Sequence, residues 1–175
     1  MSNFVTLTPI LCTREINISI LDMRIVIQRV ERASVSVEGE VVSSIGRGLL
    51  VLVGVECGDT VDDVRWLASK TVALRIFPRP GSGNDVMDCS VSDVGGDVIA
   101  VSQFTLTAST RKGNRPSYIR AAQGEEANPL YEAYCSELEK LVGRNVGRGI
   151  FGADMKVSLV NDGPVTIIID SRLKE

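Results

Sequence analysis

The sequence contains no histidine. That absence removes Ser-His and Cys-His pairs, an imidazole general base and every histidine metal ligand. Most familiar hydrolase mechanisms go with them. Cysteine is sparse: Cys12, Cys57, Cys89 and Cys135 lie far apart and form no CxxC pair. Neither a disulfide framework nor a zinc cluster is expected, no metal or other cofactor is indicated, and a reducing, cytoplasmic setting fits. No apolar run approaches the roughly 18 residues of a membrane span. The stretch Met1–Asp22 has no basic start, and its apolar part, Phe4–Leu11, is broken by Thr6, Thr8 and Pro9. It is a poor signal peptide, and its one arginine and one glutamate make it a poor transit peptide. We read 1–22 as an extension, 23–170 as one domain and 171–175 as a short tail.

An excess of one charge is also missing. With 19 basic and 22 acidic residues the net charge is -3, so any contact with a polyanion must come from a local patch. At 175 residues and 44 % hydrophobic composition, the chain suits one domain with a core that needs no covalent staples.

Hydrophobic patterning supplies the elements. Arg24–Val30 and Ala33–Val37 are rich in β-branched residues and read as strands. Glu38-Gly39-Glu40 turns the chain into Val41–Ile45. Gly48–Val55 is continuously apolar, as in a strand buried on both faces. Thr60–Leu74 carries apolar residues three and four apart and reads as a helix, with Thr60 and Asp63 forming a shortened capping box. Val98–Ser102 is a further strand. A second helix is expected from Pro129 to Val142, with Asn128 as its N-cap, an apolar stripe of Leu130, Tyr134, Leu138 and Leu141, and Gly143 as its stop. Met155–Val160 and Val165–Ile169 read as strands joined by a turn at Asn161-Asp162-Gly163-Pro164. The fold class is therefore α/β (α+β), a mixed β-sheet with two main helices.

Three places offer chemistry. From Val98 to Gly124 there is no acidic residue, yet Arg111, Lys112, Arg115 and Arg120 are present with Tyr118 among them. Such a loop suits phosphate contacts and base stacking, although a solvated loop paired to neighbouring acids has the same composition. Ser102, Gln103, Phe104 and Thr105 follow a buried strand, where hydroxyls serve a ligand or merely cap a turn. Gly163 before Pro164 lets backbone approach a ligand closely, and the bond between them is expected to be cis. Arg29 ends the first strand among apolar residues, where the plain reading is a surface strand charge.

These segments resemble the D-aminoacyl-tRNA deacylase family, also called D-tyrosyl-tRNA deacylase. The resemblance runs from Met23 to about Ile169. It is carried by MRIVIQRVERASVSVEGE at Met23–Glu40, GGDVIAVSQFTLTASTRKGNRPSY at Gly95–Tyr118 and FGADMKVSLVNDGPVT at Phe151–Thr166. SQFTL and NDGPVT are the family's two signature motifs, and both are intact. Met87-Asp88-Cys89-Ser90 departs from the family's usual MNLS.

The resemblance implies a homodimer with its active sites at the subunit interface. Ser102, Gln103, Phe104 and Thr105 of one subunit would line the catalytic pocket. Gly163 and Pro164 would bind substrate from the other, braced by Arg29, while Arg111, Lys112 and Arg115 would bind tRNA. It also implies chiral proofreading: hydrolysis of D-aminoacyl-tRNA to D-amino acid and tRNA, with rejection of the L-aminoacyl ester. Glycyl-tRNA, with no side chain to exclude, would also be cleaved. A different class stays open, an RNA-binding module that kept the fold and lost turnover. A threonine-peptidase-like hydrolase would need an N-terminal threonine, and Thr105 is internal. Two mechanisms compete for the ester: attack by Thr105, or attack by water assisted by the neighbouring ribose 2′-hydroxyl.

Overall fold

In the computed structural model, which describes residues 23–83 and 85–172, one long strand organises the sheet. The readings of 1–22 as an extension and of the last three residues of the tail lie outside the described residues. Strand β1 (Arg24–Val37) runs unbroken where the sequence suggested two strands. It pairs with β2 (Glu40–Ile45) through a two-residue loop in which Glu38 and Gly39 both have positive φ, 52° and 87°. That twisted geometry matches flanking strands and selects glycine at the second position. Strand β3 (Gly48–Gly54) returns antiparallel to β1.

Helix α1 (Val61–Ala73) then carries the chain across. Asp63 accepts the Thr60 N–H at 2.8 Å, as the capping-box spacing predicts. A small hairpin, β4 (Phe77–Pro78) with β5 (Met87–Cys89), precedes β6 (Asp97–Ser102), which lies parallel to β3. Residues 104–107 form a single 3-10 turn. Helix α2 (Gly124–Val142), the short strand β7 (Gly147–Arg148) and the long strand β8 (Met155–Asp170) complete the chain. The sheet is mixed, in the order β2-β1-β3-β6-β7, with β8 on the other side of β1.

Alternate residues of β1, β3 and β6 point to two cores. Ile25, Ile27, Leu49, Val51, Val98 and Ala100 pack under the two helices, which also meet through a buried hydrogen bond of 2.7 Å between Thr71 Oγ1 and the Tyr134 hydroxyl. Val30, Val35, Leu50, Ile99 and Val101 form the second core, against which Ile45, Met155 and Leu159 pack. Val30, Leu50 and Ile99 are fully buried there, so both faces of β3 and β6 are dry, as their continuous apolar runs require.

Two expectations need correction. Helix α2 starts at Gly124 with Gln123 as its N-cap, so Asn128 and Pro129 lie inside it. Glu125 and Glu126 occupy the first turn, where carboxylates complement the positive end of the helix, and Glu126 Oε1 also accepts the Gly58 N–H at 3.2 Å. Leu141, placed on the apolar stripe, is exposed, while Leu130, Tyr134 and Leu138 are buried. Second, Asn161–Pro164 is not a chain-reversing turn. Asn161 pairs with Val30 and Thr166 with Gln28, so β8 continues past it and residues 162–165 bulge out opposite Arg29 alone.

Candidate active site

The buried strand β6 delivers Ser102 to its end, where the Gln103 N–H bonds the Val53 carbonyl at 2.7 Å and fixes the chain against β3. The 3-10 turn follows at once. Its N–H bonds begin with Leu106, to the Gln103 carbonyl at 3.2 Å, and end with Ala108, to Thr105 at 3.1 Å. The N–H groups of Phe104 and Thr105 precede these and have no acceptor among the described residues. Thr105 Oγ1 accepts from Gln103 Nε2 at 2.6 Å, and among the described residues no ionisable group bonds that hydroxyl. Phe104 is 57 % exposed, uncommon for an aromatic ring at the end of a core strand.

Beside this turn lies a cavity of about 100 Å³. Val53, Ser102, Gln103, Phe104, Tyr131 and Phe151 contribute to its wall. The Tyr131 and Phe151 rings are tilted at 44°, with centroids 6.1 Å apart. Tyr131 is anchored by its hydroxyl, which donates to the Ala100 carbonyl at 2.9 Å. Burial pushes that phenol above its ordinary range, so it stays a neutral donor. Neither Tyr131 nor Phe151 was singled out from sequence. Phe151 opens the FGAD stretch of the third matching segment, and Tyr131 adjoins the expected apolar stripe of α2.

Gly163 and Pro164 stand on the bulge of β8, both exposed, and the peptide between them is cis, as expected. Arg29, by contrast, is buried. Its Nη1 donates to the Ile76 carbonyl at 2.5 Å and its Nε to the Asp162 carbonyl at 3.1 Å. Asp162 Oδ2 lies 3.0 Å from the same Nε, and the Phe77 ring is 6.0 Å from the guanidinium carbon. The arginine therefore holds the base of the bulge.

Within one chain the two motifs do not meet. Arg29 is opposite Leu49, which is opposite Val98; Ile25 is opposite Val53, which is opposite Ser102. Gly163 and Ser102 are thus offset by four residues along the strands and three strand spacings across them, about 20 Å.

Ser109 and Ser117 exchange backbone hydrogen bonds of 2.8 and 2.9 Å and close a loop whose tip carries Arg111, Lys112 and Arg115, all exposed. Among the described residues none of the three forms an ion pair. Tyr118, at the foot of this loop, meets Phe104 edge-on at 5.1 Å, which ties the basic loop to the 3-10 turn. Arg120, grouped with these cations in the sequence, turns inward instead and pairs with buried Glu56 at 3.3 Å. Among the described residues no three His, Cys, Asp or Glu side chains gather as a metal site.

The family model for D-Tyr-tRNA(Tyr) deacylase matches residues 26–170. The chain belongs to the D-aminoacyl-tRNA deacylase family. It is 59 % identical over 153 residues to the D-aminoacyl-tRNA deacylase of Flavobacterium johnsoniae, covering 87 % of this chain and all of that protein. Over the same spans it is 54 % identical to the D-aminoacyl-tRNA deacylase of Bacteroides thetaiotaomicron. Among solved structures it is similar to c-Myc DNA Unwinding Element Binding Protein, with a TM-score of 0.78 and 40 % identity over 84 % of this chain and 97 % of that one. A probable eukaryotic D-amino acid tRNA deacylase shares the fold at a TM-score of 0.75, with 18 % identity over 85 % of this chain and 99 % of that one. In this deacylase-family chain, the SQFTL and NDGPVT segments lie at the end of β6 and on β8, separated by β3 and β1 in one sheet.

Proposed function

We propose that this chain hydrolyses the ester of D-aminoacyl-tRNA, releasing D-amino acid and tRNA, at a site completed by a second copy of itself. The observation that carries this reading is the segment Ser102–Thr105. It is an accessible turn with two open N–H groups, beside an aromatic-walled slot and the foot of a basic loop. The exposed Phe104 ring beside that slot offers a face on which a base can stack, and the 3′ end of a charged tRNA presents an adenine next to the ester. The basic tip then faces phosphates further along the acceptor. No helix among the described residues is long and apolar enough to cross a membrane, and the enzyme is proposed to act in the cytoplasm, where charged tRNA is found.

Thr105 is a poor nucleophile in this setting, since its hydroxyl is bonded to an amide and has no base. Water assisted by the ribose 2′-hydroxyl is the better attacker. The N–H groups of Phe104 and Thr105 stabilise the developing oxyanion, each such donor contributing roughly 3 kcal/mol.

Chirality is read by backbone. Gly163 and Pro164 of the partner copy reach this pocket, which their separation from Ser102 within one chain requires. Among the described residues β8 pairs only with β1, so its outer edge is open to a second chain. The carbonyls of the bulge take the substrate α-amino group, an L side chain meets main chain, and a D side chain points outward. Glycine has nothing to clash and is cleaved too. The test is release of free amino acid from D-Tyr-tRNA, L-Tyr-tRNA and Gly-tRNA by the purified protein, with and without a chelator. Hydrolysis of the D and glycyl esters alone, unaffected by chelation, is expected. Tight tRNA binding without release would make the chain an RNA-binding module instead.

A further inference from the structure

The 3-10 turn that carries Phe104 and Thr105 ends in carbonyls that a short helix cannot satisfy by itself. Two arginines from distant parts of the chain take them. Arg24 Nη1 donates to the Leu106 carbonyl at 3.2 Å, and Arg120 Nη2 donates to the Thr107 carbonyl at 3.3 Å. Each arginine is in turn held by a carboxylate. Asp170 grips Arg24 with both oxygens, at 2.6 and 3.0 Å from Nε and Nη2. Glu56, only 2 % exposed, lies 3.3 Å from Arg120.

We propose that Arg24 and Arg120 are positioning residues that clamp the far end of this turn and so aim the Phe104 and Thr105 N–H groups. This rests on the deacylase reading above. Three features support it. The clamps are backed by two different strands on either side of β1, since Asp170 closes β8 and Glu56 follows β3. Arg120 also ends the basic segment, and its own carbonyl accepts the Cys57 N–H at 2.9 Å, so the same residue fixes both turn and loop. The turn is seated tightly on β3: a Cβ at Gly54 would lie 2.9 Å from Leu106 Cβ and 3.1 Å from the Gln103 carbonyl. With its underside fixed by Gly54 and its start by Gln103, the remaining freedom of the turn is movement of its far end. Those are the carbonyls that the arginines hold.

The test uses Arg24→Gln and Arg120→Gln in the full chain. Two readouts are taken: single-turnover hydrolysis of D-Tyr-tRNA at saturating enzyme, and hydrogen exchange at the Leu106 and Ala108 amides. Each variant is expected to slow the chemical step roughly tenfold, the size of one charge-assisted hydrogen bond, with tRNA affinity within about twofold of the parent. Exchange at Leu106 and Ala108 is expected to accelerate while the amides of β3 and β6 keep their protection. Arg24→Lys and Arg120→Lys, which retain a donor, should recover part of both effects; they also serve if a glutamine variant does not fold. An unchanged chemical step overturns the proposal, whether or not exchange changes. A slower step with unchanged exchange at the turn also overturns it. Failure of the parent protein to hydrolyse the ester would overturn the deacylase reading instead, and the exchange comparison would still decide whether the arginines hold the turn.

Discussion

Arg29 and Asp162 are joined twice, through the Asp162 carbonyl at 3.1 Å and its carboxylate at 3.0 Å from the same Nε. A buried guanidinium thereby fixes the residue that precedes Gly163. The consequence for Gly163 is steric. A Cβ there would lie 2.8 Å from Arg29 Nη2 and 2.8 Å from Val165 Cγ2, at a φ of 121° that side chains rarely adopt. Gly163→Ala is therefore expected to displace the bulge without unfolding the sheet. A displacement of about 1 Å at a reacting centre can cost on the order of a hundredfold, so hydrolysis of D-Tyr-tRNA should fall by about that factor. Circular dichroism should stay unchanged. Full activity in this variant would remove the bulge from the site.

Thr105→Ala separates the two chemical routes. The hydroxyl accepts from Gln103 Nε2 and has no base, so its loss should cost a factor within roughly a hundred. Loss of a true nucleophile costs about a millionfold in a comparable hydrolase. Rapid quench and mass spectrometry of the parent enzyme would settle the matter independently. An acyl group trapped on Thr105 would defeat the substrate-assisted route.

Neutralising Arg111, Lys112 and Arg115 together should weaken tRNA binding and flatten its dependence on salt. Each lost phosphate contact removes about 0.9 from the log–log slope on duplex. The chemical step at saturating enzyme should hardly change, because the loop touches the turn through Tyr118 and Phe104 and not through its tip. Filter binding at several salt concentrations measures the slope, and an unaltered slope would make the loop a solvated surface.

Much of this architecture was legible because local and long-range preferences agreed. The apolar run in β3, the Thr60–Asp63 cap and the alternating strands all appear where their chemistry placed them. Asn128-Pro129 carries a strong start signal, and the local pattern therefore places the start of α2 too late in the chain. In the fold, the two glutamates and the link from Glu126 to Gly58 extend the helix a further turn and more. Asn161–Pro164 has turn composition, but pairing of β8 with β1 on both sides of it made a bulge. The inward turn of Arg120 and the cavity wall of Tyr131 and Phe151 depend on contacts between segments far apart in sequence, which no local pattern records.

Asp59 offers a test of stability that does not involve the substrate. Burial pushes its carboxyl from 3.8 up to about 7; the Glu56 N–H opposes this, as does Arg172, while Asp63 and Glu56 reinforce it with their charges. The folded protein thus keeps a proton on Asp59 that the unfolded chain has already released. Below about pH 4 the group is protonated in both states and contributes nothing. As pH rises from about 4 to 7 the folded state loses stability relative to the unfolded, and above 7 the full penalty is present. Asn, an uncharged isostere, retains an oxygen for the Glu56 N–H that Asp59 Oδ2 now accepts at 2.7 Å. Asp59→Asn should therefore melt close to the parent at pH 4 and higher than the parent at pH 8, with the gap opening between. Thermal unfolding across that range measures it. A difference in melting temperature that is constant with pH would mean that Asp59 is ionised in the folded protein throughout.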